Sequence, residues 1–354
     1  MNIRTVTPVH IGTGRTVPHN MYIRLGGDTP RMARLDVDRL VAEHVDGDPA
    51  RSRELATEFE TLTGISNFIR SKAGNIKRSH LLYDVDIGVT LDSFFNDTTN
   101  ALVHHLSEIE IHECVKSGYH AVLPGSSLKG ALLTGYYWQM YDGDWAAAER
   151  DLRRGNPREV REGLSQRLRI SDTLGDAKLA LENCRRVMHI TRGDHNSPLK
   201  ALEVWVECLK LGQTLQADIP RRKGPPNRGG AINLTAEDVA TLCKGVNAWA
   251  ASVMGDGIAH MKRYHVPTRT AETVRTHVQS LADSEDTCIV RVGWGVGKAA
   301  TSLGLLQGGG YQSSKTRWLL ANAAIENEVS DFGGGLAGPL GWVRVQFEQT
   351  DYVS

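Results

Sequence analysis

The chain has 354 residues, with 41 basic and 41 acidic side chains and a formal net charge of zero. Hydrophobic residues make up 40% and charged ones 23%, enough for a core and a solvated surface, which excludes disordered and collagen-like chains; no run approaches the ~18 consecutive apolar residues of a membrane helix. At ~100–200 residues per domain the length predicts two domains or one composite domain, and the 36 glycines are an excess over the ~7% norm.

In chain order, Asn2 to Val9 reads as a first strand, followed by the loop Ile11-Gly12-Thr13-Gly14. Met21, Ile23 and Leu25 alternate with Tyr22 and Arg24, which predicts a second strand. Asp36 is placed to N-cap a short helix through His44, and the spacing of Leu55, Phe59 and Leu62 predicts a helix over Arg51 to Leu62 that bends or ends near Gly64. Residues 64–100 show no period and read as an insertion, and Glu108 to His112 alternates as a half-exposed strand. His120 to Leu123 is a short strand broken by Pro124-Gly125, after which Ser126 or Ser127 is expected to cap a helix reaching Tyr141. Leu168 to Ser171, Cys184 to Arg192 and Leu202 to Cys208 are further strands. In the last of these, Leu202, Val204, Val206 and Cys208 face one way and Glu203, Trp205 and Glu207 the other. Residues 220–230, including Arg221, Arg222 and Lys223, form a basic loop. Thr235 and Asp238 then open a long helix in the manner of a capping box. Cys288 to Val292 leads into Gly293-Trp-Gly-Val-Gly297, and Trp342 to Phe347 closes the chain. This mixture predicts an α+β architecture with largely antiparallel sheets, as two ferredoxin-like halves over residues 1–165 and 166–354.

The zero net charge conceals segregation. Ser66 to His80 carries four basic residues and no acid, and Leu81 to Glu113 seven acids and no Lys or Arg. Arg150 to Arg169 has seven arginines against three acids, and Arg185 to Arg228 nine basic residues against four acids. Solvated faces account for such blocks; so does a basic face for a polyanion, with acidic faces turned to other partners. The five cysteines have no zinc-knuckle spacing and are expected to be reduced. The crowd of His104, His105, His112, Glu113, Cys114 and His120 matches no ligand pattern, so neither a metal site nor a cofactor is predicted. Met1 to Gly14 lacks the basic and apolar regions of a secretory signal, so a cytoplasmic protein is expected.

The glycine motifs fail as nucleotide sites. Three residues separate Gly293 from Gly297, where a Walker A loop has four, and Ala299 follows Lys298 where Ser or Thr is required. Gly295, Gly297 and Lys298 match a loose dinucleotide fingerprint, but with no βαβ unit evident behind them. Around Ser127, the Gly125–Gly130 spacing is not that of a nucleophile elbow. Two readings stand for this turn: Ser126, Ser127 and Lys129 hold a phosphate at the helix N-terminus, or they form a tight capped turn.

Thr7-Pro-Val-His-Ile-Gly-Thr-Gly14, Leu123-Pro-Gly-Ser-Ser-Leu-Lys-Gly-Ala-Leu132 and Gly293-Trp-Gly-Val-Gly297, in this order and with Gly341-Trp-Val-Arg344 at the close, resemble the RAMP superfamily of CRISPR proteins. Within it they resemble the terminal backbone subunit of the type III-A (Csm) effector complex. The resemblance implies RNA-recognition-like folds, a subunit that caps the backbone filament, and a grip on the 3′ part of the CRISPR RNA. It implies as partners the CRISPR RNA, target RNA, the adjacent backbone subunit, the small subunit and host trimming nucleases, with no membrane. Carried onto this chain, it implies RNA contact at His10, Gly12 and Gly14, at Ser126, Ser127 and Lys129, and at Gly295, Gly297 and Lys298. Relatives usually have an arginine where this chain has Leu133, so that phosphate contact is either lost or supplied by another arginine.

The expectation is a non-catalytic RNA-binding scaffold, since single-stranded RNA held by its backbone needs cations, loop N–H groups and a few wedges but no nucleophile. The basic loop Arg221, Arg222 and Lys223 is included in the expected RNA surface. The alternative is a RAMP-type endoribonuclease acting on guide or target RNA. His10 with Lys129 would supply base and charge there, and Asp28, Asp36 and Asp38 lie in the range where target-cleaving relatives carry an aspartate. A carbohydrate- or nucleotide-binding enzyme is the third class.

Overall fold

The computed structural model describes residues 1–25, 31–87, 110–142, 144–153, 163–188, 203–221, 233–263, 266–295, 316–320, 324–325, 328–329 and 338–353. In chain order its strands are β1 (Asn2–Thr5), β2 (Gly12–Pro18), β3 (Tyr22–Leu25), β4 (Arg31–Leu35), β5 (Leu81–Ile87), β6 (Glu110–Cys114), β7 (Lys116–Ser117) and β8 (His120–Ala121). They continue with β9 (Leu179–Met188), β10 (Glu203–Leu209), β11 (Thr214–Gln216), β12 (Thr287–Arg291), β13 (Thr316–Leu320), β14 (Ala324–Ile325), β15 (Glu328–Val329) and β16 (Trp342–Gln346). The helices are α1 (Val37–Val45), α2 (Pro49–Glu58), α3 (Leu62–Lys72), α4 (Gly125–Tyr141), α5 (Trp145–Arg153), α6 (Leu164–Arg167), α7 (Ala236–Arg263) and α8 (Arg269–Ser280). The architecture is α+β, as the sequence predicts.

Two sheets carry the fold. The first runs β11-β1-β16-β12 and is antiparallel throughout, so the opening and closing strands of the chain are neighbours. The second has eight strands in the order β2-β6-β10-β9-β5-β4-β3, with β13 also on β9; β6–β10 and β5–β9 pair in parallel. Both sheets draw strands from either side of residue 165. The predicted first strand divides between them. Beyond β1 the chain bends at Val6 and Thr7, whose N–H groups both donate to the Trp342 carbonyl, and then bridges Val9 to Leu209 of the second sheet.

The segment expected to be an insertion is in part structural: α3 falls in it, and β5 is an inner strand between β4 and β9. Val85 and Ile87 are buried on one face of β5, with the partly exposed Asp84 and Asp86 on the other. Those acids are paired within the chain, Asp84 with Arg78 at 2.8 Å and Asp86 with Lys210 at 2.6 Å. The helix predicted over residues 51–62 is two helices, because the chain turns after Glu58 and restarts where the Thr61 hydroxyl accepts from the Gly64 N–H. Asp36 caps α1 as expected, accepting from Arg39 N–H at 3.0 Å.

Helix α7 shows why the core forms where it does. Val239, Leu242, Cys243, Val246, Trp249, Ala250, Val253, Met254, Ile258 and Met261 recur at helical spacing and are all buried. Its N-terminus has the reciprocal box read from the sequence: Thr235 N–H donates to Asp238 Oδ2 at 3.0 Å and Asp238 N–H to Thr235 Oγ1 at 3.1 Å. The helix packs on β12, α8 and α4, crossing α4 at Gly135 and Gly245, where a Cβ on Gly135 would stand 2.8 Å from Val246 Cα. The polar link in this interface is Asn247, 1% exposed, whose side chain donates to the Leu281 and Thr287 carbonyls and accepts from Ile289 N–H. All five cysteines are buried free thiols.

Two predictions follow from burial. Asn247→Ala removes three buried hydrogen bonds to the backbone and is expected to lower unfolding free energy by about 1–3 kcal/mol, measured by urea denaturation. Glu182 on β9 has its carboxyl raised by burial to about 8. The folded chain therefore holds this proton more tightly than the unfolded chain, so stability falls as pH rises from near 4.5 to about 8. Glu182→Gln, which cannot ionise, is expected to remove that fall: its denaturation midpoint should exceed the parent's at pH of about 8 and approach it near 4.5. Parallel pH profiles of the two proteins would contradict this assignment.

Candidate nucleic-acid interface

The three glycine-rich segments, far apart in sequence, line one cleft of about 680 Å³. His10, Gly12, Gly14 and Arg15 contribute the first wall, Ser126, Ser127, Gly130 and Thr134 of α4 the second, and Arg291, Gly293 and Trp294 the third. His112 of β6 completes it.

Helix α4 starts one residue before the first serine. Pro124 occupies the N-cap in extended conformation without a side-chain cap, and its carbonyl accepts from Ser127 and Leu128 N–H. Asp172 supplies the missing acceptor by taking the Gly125 N–H at 2.9 Å. Neither serine is therefore the cap that the sequence predicts; both stand in the first turn, lining the cleft, at the end of the helix where N–H groups and the dipole favour an anion.

The first and third segments are joined through backbone. Trp294 N–H donates to the His10 carbonyl at 2.8 Å. Gly293 has φ of +95°, and a Cβ there would lie 2.3 Å from the same carbonyl, so only glycine permits the approach. His10 is 1% exposed, and its Nδ1 is 2.6 Å from the Glu207 carbonyl; a carbonyl only accepts, so Nδ1 carries the proton. Burial lowers the imidazole to about 4, against the opposing effect of that hydrogen bond. At neutral pH His10 is a neutral bracket between the loop and β10, with little affinity for an abstracted proton.

Below the cleft lies a polar hub that the sequence did not disclose. The Glu207 carboxylate, fully buried, accepts from Tyr22 Oη (2.8 Å), Tyr83 Oη (2.9 Å), Cys114 N–H (3.0 Å) and Lys116 Nζ (2.5 Å). Lys116 also lies 4.3 Å from the centre of the Tyr83 ring. Burial, followed by the Glu207 charge, raises both tyrosines above their ordinary range. The alternation read for β10 is right, but the face carrying Trp205 and Glu207 points into the main core.

Of the remaining predicted site residues, Lys129, Arg221 and Gly295 are described and are not among the cleft lining. Lys129 directs Nζ to the Ser165 carbonyl at 2.7 Å, and desolvation followed by Arg169 lowers its ammonium. Arg221 donates to the Thr350 and Tyr352 carbonyls. Gly295 has φ of +75° and follows Trp294. Arg222, Lys223, Gly297 and Lys298 lie outside the described residues, as does Asp28. Asp36 is engaged as the α1 cap, with Asp38 in the same turn. Arg15 and Arg291 were missed: Arg291 is 5% exposed, Nε donating to the Leu340 carbonyl, and sequence reads it as a core strand position. Among the described residues lining the cleft there are two arginines, three hydroxyls and no carboxylate. No cluster of the described residues has the composition of a metal site, and none of their helices is long and apolar enough to cross a membrane.

The fold recurs in solved structures of CRISPR effectors. A chain of a type III-A Csm–crRNA–target RNA ternary complex, determined by cryo-EM, matches with a TM-score of 0.58 and 17% identity over 98% of this chain and 99% of that one. The crystal structure of T. onnurineus Csm5 matches with a TM-score of 0.57 and 18% identity, over 97% and 99% of the two chains. The chain thus shares its fold, end to end, with these two Csm chains. No protein-family model matches the sequence, and no curated protein does.

The hub gives the prediction for this site. Glu207→Ala leaves the Lys116 ammonium, 7% exposed, with only the Cys114 carbonyl and the Glu113 carboxylate at 3.8 Å, and is expected to cost about 3 kcal/mol. Glu207→Gln keeps an acceptor for the tyrosines and should lose less. Urea denaturation of both variants checks this, and an unchanged midpoint for Glu207→Ala would contradict it.

Proposed function

We propose that this chain is an RNA-binding subunit of a type III-A CRISPR effector complex, which caps the backbone filament and holds the 3′ part of the CRISPR RNA in the cleft. The observation that carries the reading is the convergence of the three segments on one cavity whose described lining has cations, hydroxyls and a helix N-terminus but no carboxylate. Such a surface suits a phosphodiester backbone and reads no base edge. The end-to-end likeness to Csm5 and to a chain of a Csm–crRNA–target RNA complex supports the same assignment. The arginine expected after the Lys-Gly-Ala-Leu run is replaced by Leu133, and the arginines among the described residues lining the cleft are Arg15 and Arg291. A CRISPR RNA and the neighbouring backbone and small subunits are the partners of this reading.

Binding of single-stranded RNA across a salt series tests it. Arg15→Ala is expected to weaken binding and to flatten the slope of log K against log salt by about 0.7 for the phosphate contact removed. Ser127→Asp puts a carboxylate in the first turn of α4, which favours the helix by about 0.3–1 kcal/mol while repelling phosphate. Its melting temperature should hold or rise while RNA affinity falls. Unchanged affinity and slope in both variants would rule the cleft out as the RNA surface.

A further inference from the structure

The cleft has a second chemical character that phosphate contacts leave unused. Trp294 is half-buried at its edge and packs on Cys184, Val206, Cys208 and Leu340. Its ring stacks with the half-buried His112 at 5.7 Å between centres and 30° between planes. The buried His10 ring meets the indole edge-on, 5.6 Å away at 89°. The loop that carries the indole is fixed by the Trp294 N–H bond to the His10 carbonyl and by the close approach at Gly293. This aromatic group is therefore held in place before any ligand arrives, which lowers the ordering cost of binding. Desolvation also lowers the His112 imidazole, so near neutral pH it presents a neutral ring rather than a cation for phosphate.

A cavity with hydroxyls, N–H groups and guanidinium on some walls and an indole–imidazole stack on another matches the two halves of a nucleotide. We propose that Trp294, braced by His112, is a stacking residue that receives one unpaired nucleobase of the RNA bound in the cleft. This rests on the RNA-binding reading and adds to it that one base is turned inward. Because every base has a π face, the contact favours strongly stacking bases without reading an edge.

The test compares a short oligoadenylate with an abasic ribose-phosphate oligomer of equal length, which keeps the charge and removes the bases. For the parent protein the oligoadenylate should bind more tightly. Trp294→Leu should weaken oligoadenylate binding roughly 5- to 150-fold, leave the abasic oligomer unaffected, and leave the salt slope unchanged. Trp294→Phe should restore much of the loss, and His112→Ala should reproduce part of it. Equal losses for both oligomers would make Trp294 a support of the loop only and overturn the proposal; so would no loss for either. If those results came with the expected flattening of the salt slope in Arg15→Ala, the RNA-binding cleft would stand and base stacking alone would fall. A parent protein that binds neither oligomer would overturn both.

Discussion

The carboxylate of Glu207 is sealed from water, and a carboxylate in that position is unfavourable by several kcal/mol unless donors surround it. Four do: three from the second sheet, Tyr22 in β3, Tyr83 in β5 and the backbone of Cys114 in β6, and the ammonium of Lys116 from the separate β7–β8 pair. The backbone carbonyl of the same residue holds His10, and the His10 carbonyl holds Trp294. One buried charge therefore ties the strand order of the eight-stranded sheet to the two loops that face the cleft. Loss of any one donor would leave the charge underserved, which couples the hub's members more strongly than separate hydrogen bonds would be.

Above this hub, backbone geometry builds the cleft. Its loops approach within distances that leave no room for a Cβ at Gly293, and its helix starts at Gly125 because Pro124 takes the cap and Asp172 the first N–H. Those two choices leave Ser126 and Ser127 in the first turn with the cleft before them. The positive character of the site comes from few cations, so the zero net charge of the chain and a surface suited to polyanions are compatible. Carboxylates elsewhere, such as Asp84, Asp86 and Asp238, are occupied by arginine or lysine partners within the chain.

Sequence pattern was most legible where one element alone decides the outcome. The Thr235–Asp238 box, the Asp36 cap and the alternation of β10 are local hydrogen bonds or a local periodicity, and each is present as read. Pattern was misleading where a distant partner intervened. Asp172 displaces the serine cap of α4, and the Trp342 carbonyl bends the first strand at Val6 and Thr7. Lys129 and Arg221 read as ligands for phosphate because they are cationic, but backbone carbonyls hold their side chains.

The sequence by itself determined the α+β class, the order of the glycine-rich segments and their unsuitability for a Walker-type phosphate loop, since these depend on residue type and spacing alone. That the segments meet, that Arg15 and Arg291 join them and that Trp294 stacks with His112 were decided by tertiary structure. The physical reason is that these are contacts across hundreds of residues, set by strand register and by the satisfaction of one buried charge. Neither leaves a periodic trace in the chain.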